Sequence, residues 1–388
     1  MKQEILQQFD GYEDVVKEIK AARKFGTDYG HYKGQVAHWI DQYHPARLAL
    51  RVGDIRAETA STKTLRLVSP DRPLPPFQAG QYVALVLRFG QVRTGRPYSI
   101  SSSPINTGYY DITVRRVPDG LVSGHLLDEI RVGDTLESSG PTGGFVYNPV
   151  FHGNALVFIA GGSGIAPFMS MIRETLECGL DRQIVLLYGN RAADDVIFHA
   201  ELARLASRFG NFRYVPVLEE SGALNPPWPC RNGLITRAVI QDAVGDVAGK
   251  MFYLCGPAAL YDFCREELEA LGVPQRRIRQ EAYGPPNHIS QYPDWPETIP
   301  EDATFRVTVN GSAAIPARAG ETLLTALERA GYAVPSQCRS GECGLCRVRL
   351  VSGTVYQPPS VLLRAADRRF GYIHSCAAYP LEDLGVEV

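Results

Sequence analysis

The chain lacks long apolar runs, since the longest, such as residues 155–160, have only the length of a β-strand. A membrane-spanning helix needs about 20 apolar residues. The first twenty residues also lack the apolar core of a signal peptide. We therefore expect a cytoplasmic protein with no membrane partner.

An excess of charge of one sign is also absent, because 40 Lys and Arg nearly balance 42 Asp and Glu. Nucleic acids and anionic lipid surfaces are bound by a basic field, which a net charge of -2 does not supply. The sequence therefore predicts no nucleic-acid partner, although local patches can steer a charged protein. Internal repeats are absent too, so 388 residues with 45% hydrophobic content predict several different folded domains.

Cysteine is too unevenly spread for a disulfide framework, because half of the eight cysteines lie in the last fifth of the chain. Cys178, Cys230 and Cys264 match no motif, and we expect them to be small buried residues. The clustered cysteines instead have the spacing of metal ligands.

Cys338, Cys343 and Cys346 have the C-x4-C-x2-C spacing of plant-type ferredoxins, with Cys376 downstream as the fourth ligand. This spacing predicts a 2Fe-2S cluster. Zinc is the alternative, for which His374 is the nearby additional ligand. Residues 304–388 resemble a plant-type ferredoxin along their whole length, which implies a β-grasp fold and a one-electron carrier.

Changes in periodicity divide the chain into a multidomain protein. Short strands with turn residues predict an antiparallel β-barrel, strands alternating with helices predict an α/β domain, and a Pro-rich stretch predicts a linker. The predicted units are a helical extension at 1–45, the barrel at 46–150, the α/β domain at 151–284, the linker at 285–303 and the ferredoxin domain at 304–388.

The helical extension has an apolar stripe at steps of four and three, formed by Ile5, Phe9, Tyr12, Val16 and Ile19. The stripe can pack on its own domain, or it can form a contact with a second copy or a partner. The sequence leaves both open.

Arg96-Pro97-Tyr98-Ser99 ends a strand of the barrel and resembles the R-x-Y-S flavin-binding motif of the ferredoxin-NADP reductase superfamily. The residue types fit, because arginine binds phosphate, an aromatic ring stacks on a flavin, and a hydroxyl can hydrogen-bond near flavin N5. FAD is the predicted flavin, and FMN remains an alternative. The same resemblance implies a second phosphate-binding segment, which runs from Gly120 through Val122 to Ser123.

Gly161-Gly162-Ser163-Gly164 follows an apolar strand and opens a helix, so that its amides can hold a pyrophosphate. This segment resembles the G-G-x-G-x-x-P element of the same superfamily. Cys255-Gly256-Pro257 resembles the superfamily's C-G-P element beside the nicotinamide, which implies that Cys255 positions the reacting rings and is not a nucleophile. Further contacts implied by the resemblance come from Arg115, Thr142, Asn190 and Tyr283.

The choice between NADH and NADPH depends on residues near the adenine ribose. Glu219 and Glu220 would repel a 2'-phosphate and can bind the free ribose hydroxyls, which favours NADH. Arg191 favours NADPH, because it can meet that phosphate. We predict NADH and keep NADPH as an alternative.

The order of flavin, nicotinamide and ferredoxin domains resembles the reductase components of bacterial oxygenases. The resemblance implies hydride uptake from NAD(P)H, with Ser99, Tyr98 and Cys255 placing the reacting rings, and delivery of single electrons to a separate redox protein, predicted to be a Rieske or di-iron oxygenase. The alternatives are a reductase for a corrinoid or hybrid-cluster protein, and a redox-sensing module.

Overall fold

The structure is a computed structural model, and the residues that it describes are 11–24, 34–45, 47–219, 228–281, 284–285 and 288–388. These residues fall into two compact units, 1–46 and 47–388, of which the second holds all the predicted site residues. No helix of the described part is both long and apolar enough to cross a membrane.

The first unit contains two amphipathic helices, α1 (Tyr12–Lys24) and α2 (Gln35–Tyr43). Helix α1 has acidic residues in its first turn and basic residues in its last, which complements the helix dipole. None of its side chains is buried within the unit, so the predicted stripe is half-exposed or exposed where it is described. Ile5 and Phe9 of that stripe lie outside the described residues.

Six antiparallel strands form the predicted barrel, in the order β4-β3-β6-β1-β2-β5. A bridge between Ile100 and Ile112, next to a 2.7 Å hydrogen bond from Ser101 N to Asp111 O, closes the sheet on itself. Inward side chains such as Leu50 and Leu85 are fully buried. The elements are β1 (Leu48–Thr59), β2 (Thr62–Val68), β3 (Tyr82–Phe89), β4 (Val92–Ser99), β5 (Tyr110–Arg115), α3 (Leu121–Asp128) and β6 (Thr135–Ser138).

The next domain is a parallel six-stranded sheet with helices, in the order β10-β9-β8-β7-β11-β12. The order reverses beside β7, and a ligand crevice lies at the carboxyl ends of the strands at such a switch point. The elements are β7 (Ala155–Gly161), α4 (Ile165–Glu177), β8 (Gln183–Asn190), α5 (His199–Arg208), β9 (Phe212–Leu218), β10 (Arg231–Asn232), α6 (Arg237–Val244), β11 (Met251–Cys255), α7 (Ala258–Ala270) and β12 (Ile278–Glu281).

The last domain has the predicted ferredoxin architecture, a mixed sheet in the order β14-β13-β19-β15-β17 with a helix on one face. Asn310 and Gly311 lie in the hairpin turn between Val309 and Ala313, and both have positive φ. The elements are β13 (Thr304–Val309), β14 (Ala313–Arg318), α8 (Leu323–Arg329), β15 (Arg347–Ser352), β16 (Val355–Tyr356), α9 (Ala365–Arg369), β17 (Tyr372–His374), β18 (Tyr379–Pro380) and β19 (Leu384–Glu387).

The Pro-rich segment before this domain is packed against it where it is described. Trp295 is 8% exposed and meets the rings of Tyr356 and Tyr379 edge-on, with centroids 5.4 Å and 6.3 Å apart. The Tyr356 hydroxyl donates to Pro293 O over 2.6 Å. These contacts make residues 288–303 an ordered layer on the ferredoxin domain.

The three cysteines outside any motif differ in their surroundings. Cys264 is buried as predicted, and burial raises its pKa to about 12. Cys230 is half-buried and Cys178 is exposed. The prediction was wrong for Cys178, because this residue ends helix α4, where the chain turns at the surface.

Candidate functional site

The predicted glycine loop and the Cys255 segment are in direct contact at the switch point of the parallel sheet. Strands β7 and β11 pair in register, with Ala160 opposite Cys255. A Cβ on Gly164 would overlap the carbonyl of Cys255 and lie 2.7 Å from Gly256 N. Only a residue without a side chain allows this approach.

The neighbouring glycines are also closely packed. A Cβ on Gly161 would lie 2.9 Å from Pro257 Cδ, and one on Gly256 would lie 3.1 Å from Gly161 N. Ser163 is exposed at the mouth of the loop, and no side chain caps the start of helix α4. Such a helix start with uncapped amides fits an anionic group such as a pyrophosphate.

Tyr261 of helix α7 holds the Cys255 segment in place, and the sequence did not indicate it. Its hydroxyl accepts from Gly256 N over 3.0 Å and donates to the carbonyl of Glu281. Burial raises the pKa of Tyr261, and the side chain of Cys255 lies next to its hydroxyl. Because Glu281 pairs with Cys255 in adjacent strands, Tyr261 links both strand ends.

The predicted ribose-binding residues lie together at the ends of β8 and β9. Glu219 N donates to Asn190 O over 3.0 Å, and a Glu219 oxygen lies 4.0 Å from Arg191 Nε. Both charged side chains are at least half-exposed. The carboxylate therefore faces the arginine that favoured NADPH. Glu220 and Tyr283 lie outside the described residues.

Arg96 is a desolvated cation whose hydrogen-bond acceptors are neutral. It donates to Thr94 Oγ1 over 2.6 Å and to Gly95 O over 2.8 Å. Burial and the nearby Arg339 lower the pKa of Arg96 to about 10. A partly buried guanidinium in this situation fits an anionic phosphate.

The rest of the predicted flavin motif continues along β4 beside β3. Pro97 pairs with Ala84 and Ser99 with Tyr82, and burial raises the pKa of Tyr98. The backbones of Tyr82 and Thr142 exchange hydrogen bonds of 2.8 Å and 2.9 Å. Ser99 and Thr142 therefore flank Tyr82.

The second predicted phosphate segment opens helix α3. Ser123 Oγ accepts from Val117 N over 3.1 Å, and no side chain caps the helix at Gly120. The Val122 side chain lies in the barrel core, so only its backbone can meet a cofactor. The guanidinium of Arg115 lies against Gly162 of the glycine loop.

Asp195 links the barrel to the domain with the parallel sheet (the nicotinamide domain). Its carboxylate accepts from Thr59 Oγ1 over 2.6 Å and Ser61 Oγ over 2.7 Å, and it pairs with Arg115. A second connection runs from Ser170 Oγ to a barrel carbonyl over 2.7 Å. These contacts fix the cleft between the two domains.

The four predicted cysteine ligands lie together. Side-chain contacts link Cys343 to Cys338, Cys338 to Cys376 and Cys376 to Cys346. Cys338 Sγ accepts from Cys343 N over 3.3 Å and Ser340 N over 3.5 Å. The Cys343 and Cys376 side chains hold the pKa of Cys338 below that of an ordinary thiol, against the effect of burial.

This donor set fits a binuclear cluster. In a 2Fe-2S cluster four cysteine thiolates are shared between two irons, whereas structural zinc needs four ligands around one ion. His374, the additional ligand of the zinc alternative, has its Nδ1 within hydrogen-bond distance of Gly341 O, at 2.8 Å.

Tyr82 lies in the electrostatic field of groups from both other domains, and the sequence did not distinguish it from other strand residues. It is 7% exposed and pairs with Ser99 of the flavin motif. Burial raises its pKa, and the charges of Cys338, Cys343 and Glu281 raise it further. The loop of residues 338–346 (the cluster loop) and the end of β12 therefore approach strand β4, which holds the predicted flavin motif (the flavin strand).

Family models match three successive parts of the chain. They are described as an oxidoreductase FAD-binding domain over residues 50–147, an oxidoreductase NAD-binding domain over 158–266 and a 2Fe-2S iron-sulfur cluster binding domain over 307–381. The three modules follow one another in the predicted order.

Similar proteins align with this chain over nearly their whole length. The glycine betaine monooxygenase reductase subunit of Pseudomonas aeruginosa is 29% identical over 88% of this chain and 95% of its own length. The ferredoxin reductase component of 3-ketosteroid-9-alpha-monooxygenase from Rhodococcus rhodochrous is 31% identical over 89% and 97%. Phthalate dioxygenase reductase, at 24% identity, covers 88% of this chain and 98% of its own with a TM-score of 0.65, and shares the fold.

The barrel, the parallel sheet and the cysteine loop thus define an oxidoreductase with flavin, nicotinamide and 2Fe-2S modules. The chain belongs to the family of modular flavoprotein reductases that carry a C-terminal 2Fe-2S ferredoxin domain, as do the reductase components of oxygenases.

Proposed function

We propose that this protein is the NADH-dependent reductase component of an oxygenase system in the cytoplasm and delivers single electrons to a separate terminal oxygenase. The observation that carries the proposal is that the barrel contacts both other domains. Arg279 of β12 donates to Gly144 O over 2.6 Å, and Thr94, beside the predicted flavin motif, donates to Glu328 of the ferredoxin domain over 2.8 Å.

In this proposal Arg96 binds the flavin phosphate, and the amides at the start of helix α3 with Arg115 bind the second phosphate of FAD. The Tyr98 ring covers the flavin, and Ser99 hydrogen-bonds near its N5. The match to an FAD-binding domain supports FAD, and FMN stays the alternative.

The residues of the glycine loop, Gly161 to Gly164, would hold the pyrophosphate of the nicotinamide cofactor. Cys255 and the adjacent Gly256 and Pro257 would place the nicotinamide against the flavin, with the reacting atoms about 3 to 3.5 Å apart. Cys255 acts by position and needs no proton transfer.

NADH is the preferred donor in this proposal because Glu219 occupies the ribose end of the site. A 2'-phosphate would meet this carboxylate, and the same carboxylate compensates the charge of Arg191. The ribose hydroxyls of NADH, in contrast, can donate to Glu219.

Four thiolates, from Cys338, Cys343, Cys346 and Cys376, would ligate the two irons. When bound, the flavin takes two electrons as a hydride and releases them singly to the cluster. The two relatives that are named for monooxygenases support an oxygenase as the acceptor of these electrons.

Anaerobic titration of the purified protein with NADH, and separately with NADPH, tests the proposal. Bleaching of the flavin absorption near 450 nm and a rhombic electron paramagnetic resonance signal at lower NADH than NADPH concentrations are expected. No bleaching would overturn the reductase function, and bleaching without a cluster signal would overturn the electron route.

The acceptor needs a second experiment. The oxygenase subunit of glycine betaine monooxygenase is a suitable first probe, because its reductase is a relative. NADH oxidation should then accompany product formation only when reductase, oxygenase and substrate are all present. Partner reduction without oxygen-dependent product would instead favour a non-oxygenase acceptor.

A further inference from the structure

A buried ion pair in the ferredoxin domain lies outside the residues assigned so far. Glu328 of helix α8 accepts two hydrogen bonds from Arg339, at 2.7 Å from Nη1 and 3.0 Å from Nη2. Their side chains are only 6% and 5% exposed. The attraction within a buried ion pair offsets the cost of desolvating both charges only with good geometry and further hydrogen bonds. This pair therefore needs additional hydrogen-bond partners.

The further partner belongs to the flavin barrel. Thr94 Oγ1, which is also buried, donates to Glu328 Oε2 over 2.8 Å. Arg96, the predicted ligand of the flavin phosphate, donates in turn to Thr94 Oγ1 over 2.6 Å. A continuous set of hydrogen bonds therefore runs from the flavin strand to the residue after Cys338.

Arg339 also shapes the cluster loop. Its φ is 57°, a left-handed conformation that is uncommon for a residue other than glycine. The turn at this position is followed by the amides of Ser340 and Cys343, which point at Cys338 Sγ. The bidentate contact with Glu328 stabilises this conformation, because the Arg339 side chain is held at both nitrogens.

Opposite charges alternate along this contact. Arg96 and Arg339 repel each other, and Glu328 attracts both. Without the carboxylate, two guanidinium groups would face each other in a poorly solvated interface, which is unfavourable. Glu328 therefore favours the close approach of the cluster loop to the flavin strand.

We propose that Glu328 is a positioning residue that docks the cluster loop on the flavin strand through Thr94 and Arg339, and so sets the rate of electron transfer from flavin to cluster. This inference rests on the proposed function. It assigns Glu328 no part in hydride transfer, which takes place on the nicotinamide side of the flavin.

The test compares Glu328→Gln with Glu321→Gln in the full-length holoprotein. Glu321 lies just before the same helix and pairs with Arg329 inside the ferredoxin domain, 2.7 Å from its Nη2, so it is a matched control. Anaerobic stopped-flow absorption follows flavin reduction by NADH and then cluster reduction. Flavin reduction should keep its wild-type rate in both variants, and cluster reduction should slow about tenfold in Glu328→Gln alone.

Thr94→Val is the second variant, since it removes the link to the barrel and leaves the pair of Glu328 with Arg339 intact. Cluster reduction should slow several-fold, and this variant decides the outcome if Glu328→Gln loses its cluster. Small-angle X-ray scattering of the oxidised proteins is a readout independent of turnover. The radius of gyration should increase in Thr94→Val and Glu328→Gln, and not in Glu321→Gln.

Wild-type rates of cluster reduction and an unchanged radius of gyration in Thr94→Val would overturn the inference. If NADH fails to reduce the cluster of the wild-type protein itself, the proposed function is wrong. The scattering comparison would still show whether these residues dock the ferredoxin domain.

Discussion

Replacing Gly164 with alanine should slow hydride transfer for a purely steric reason. Gly164 has φ -63° and ψ -5°, values that alanine adopts without strain. The added Cβ, however, would overlap the carbonyl of Cys255 and lie 2.7 Å from Gly256 N. These are backbone atoms, so no side-chain rotation can relieve the contact.

The size of the effect follows from this distance. Non-bonded heavy atoms prefer about 3.5 to 4.0 Å, so the glycine loop and the Cys255 segment must separate by roughly 1 Å. Overpacking of this kind costs about 1 to 3 kcal/mol of stability. A displacement of about 1 Å between reacting groups can cost on the order of 100-fold in rate, and we expect such a loss in flavin reduction by NADH.

Anaerobic stopped-flow absorption at the flavin band measures this rate, after absorption spectra have established equal flavin and cluster content. Gly210→Ala is the matched control in the same domain, because a Cβ there meets nothing within 4 Å. It should behave as wild type. A Gly164→Ala protein that is reduced at the wild-type rate, with an unchanged dependence on NADH concentration, would refute the reasoning.

Three further predictions concern other parts of the protein. Glu219→Ala should raise the ratio of kcat/KM for NADPH to kcat/KM for NADH by about tenfold, because Arg191 is then available to a 2'-phosphate. An unchanged ratio in steady-state assays would contradict this prediction. Asp195→Asn should slow flavin reduction by weakening the contact between barrel and nicotinamide domain, while the exposed neighbour Asp194→Asn should not; equal rates would exclude that role. Burial lowers the pKa of His152, so the contribution of this residue to stability is present above the unfolded-state pKa of about 6.5 and is lost as the pH falls below it. The urea concentration at the midpoint of unfolding should therefore depend less on pH in His152→Gln than in the wild type. An equal dependence in both proteins would show that other groups titrate.

The positions of the glycine loop and of the clustered cysteines in the fold could be predicted because their requirements are local. The close contact between Gly164 and Cys255 requires a glycine directly after an apolar strand, which is a pattern visible in the sequence. The C-x4-C-x2-C spacing is set by the size of the cluster. The order of the strands within each sheet could not be predicted from the sequence in this way. The four-residue strand β6 (Thr135–Ser138) is too short to show a clear periodicity in the sequence.

Residues that join the domains could not be predicted. Glu328 and Arg339 have the charge typical of a solvated helix face and loop, and only the packing of the barrel against helix α8 buries them. Asp195 and Tyr82 are similar cases, since their partners lie far away in sequence. Composition predicted a linker at 285–303, but it could not show that Trp295 packs on two tyrosines.

The layer formed by residues 288–303 has a consequence for anyone who expresses the ferredoxin domain by itself. A fragment that starts at Thr304, the first residue of β13, would leave the rings of Tyr356 and Tyr379 exposed to water, and such apolar patches promote aggregation. A fragment that starts at His288 keeps Trp295 in place. The useful point of cleavage therefore lies well before the first strand.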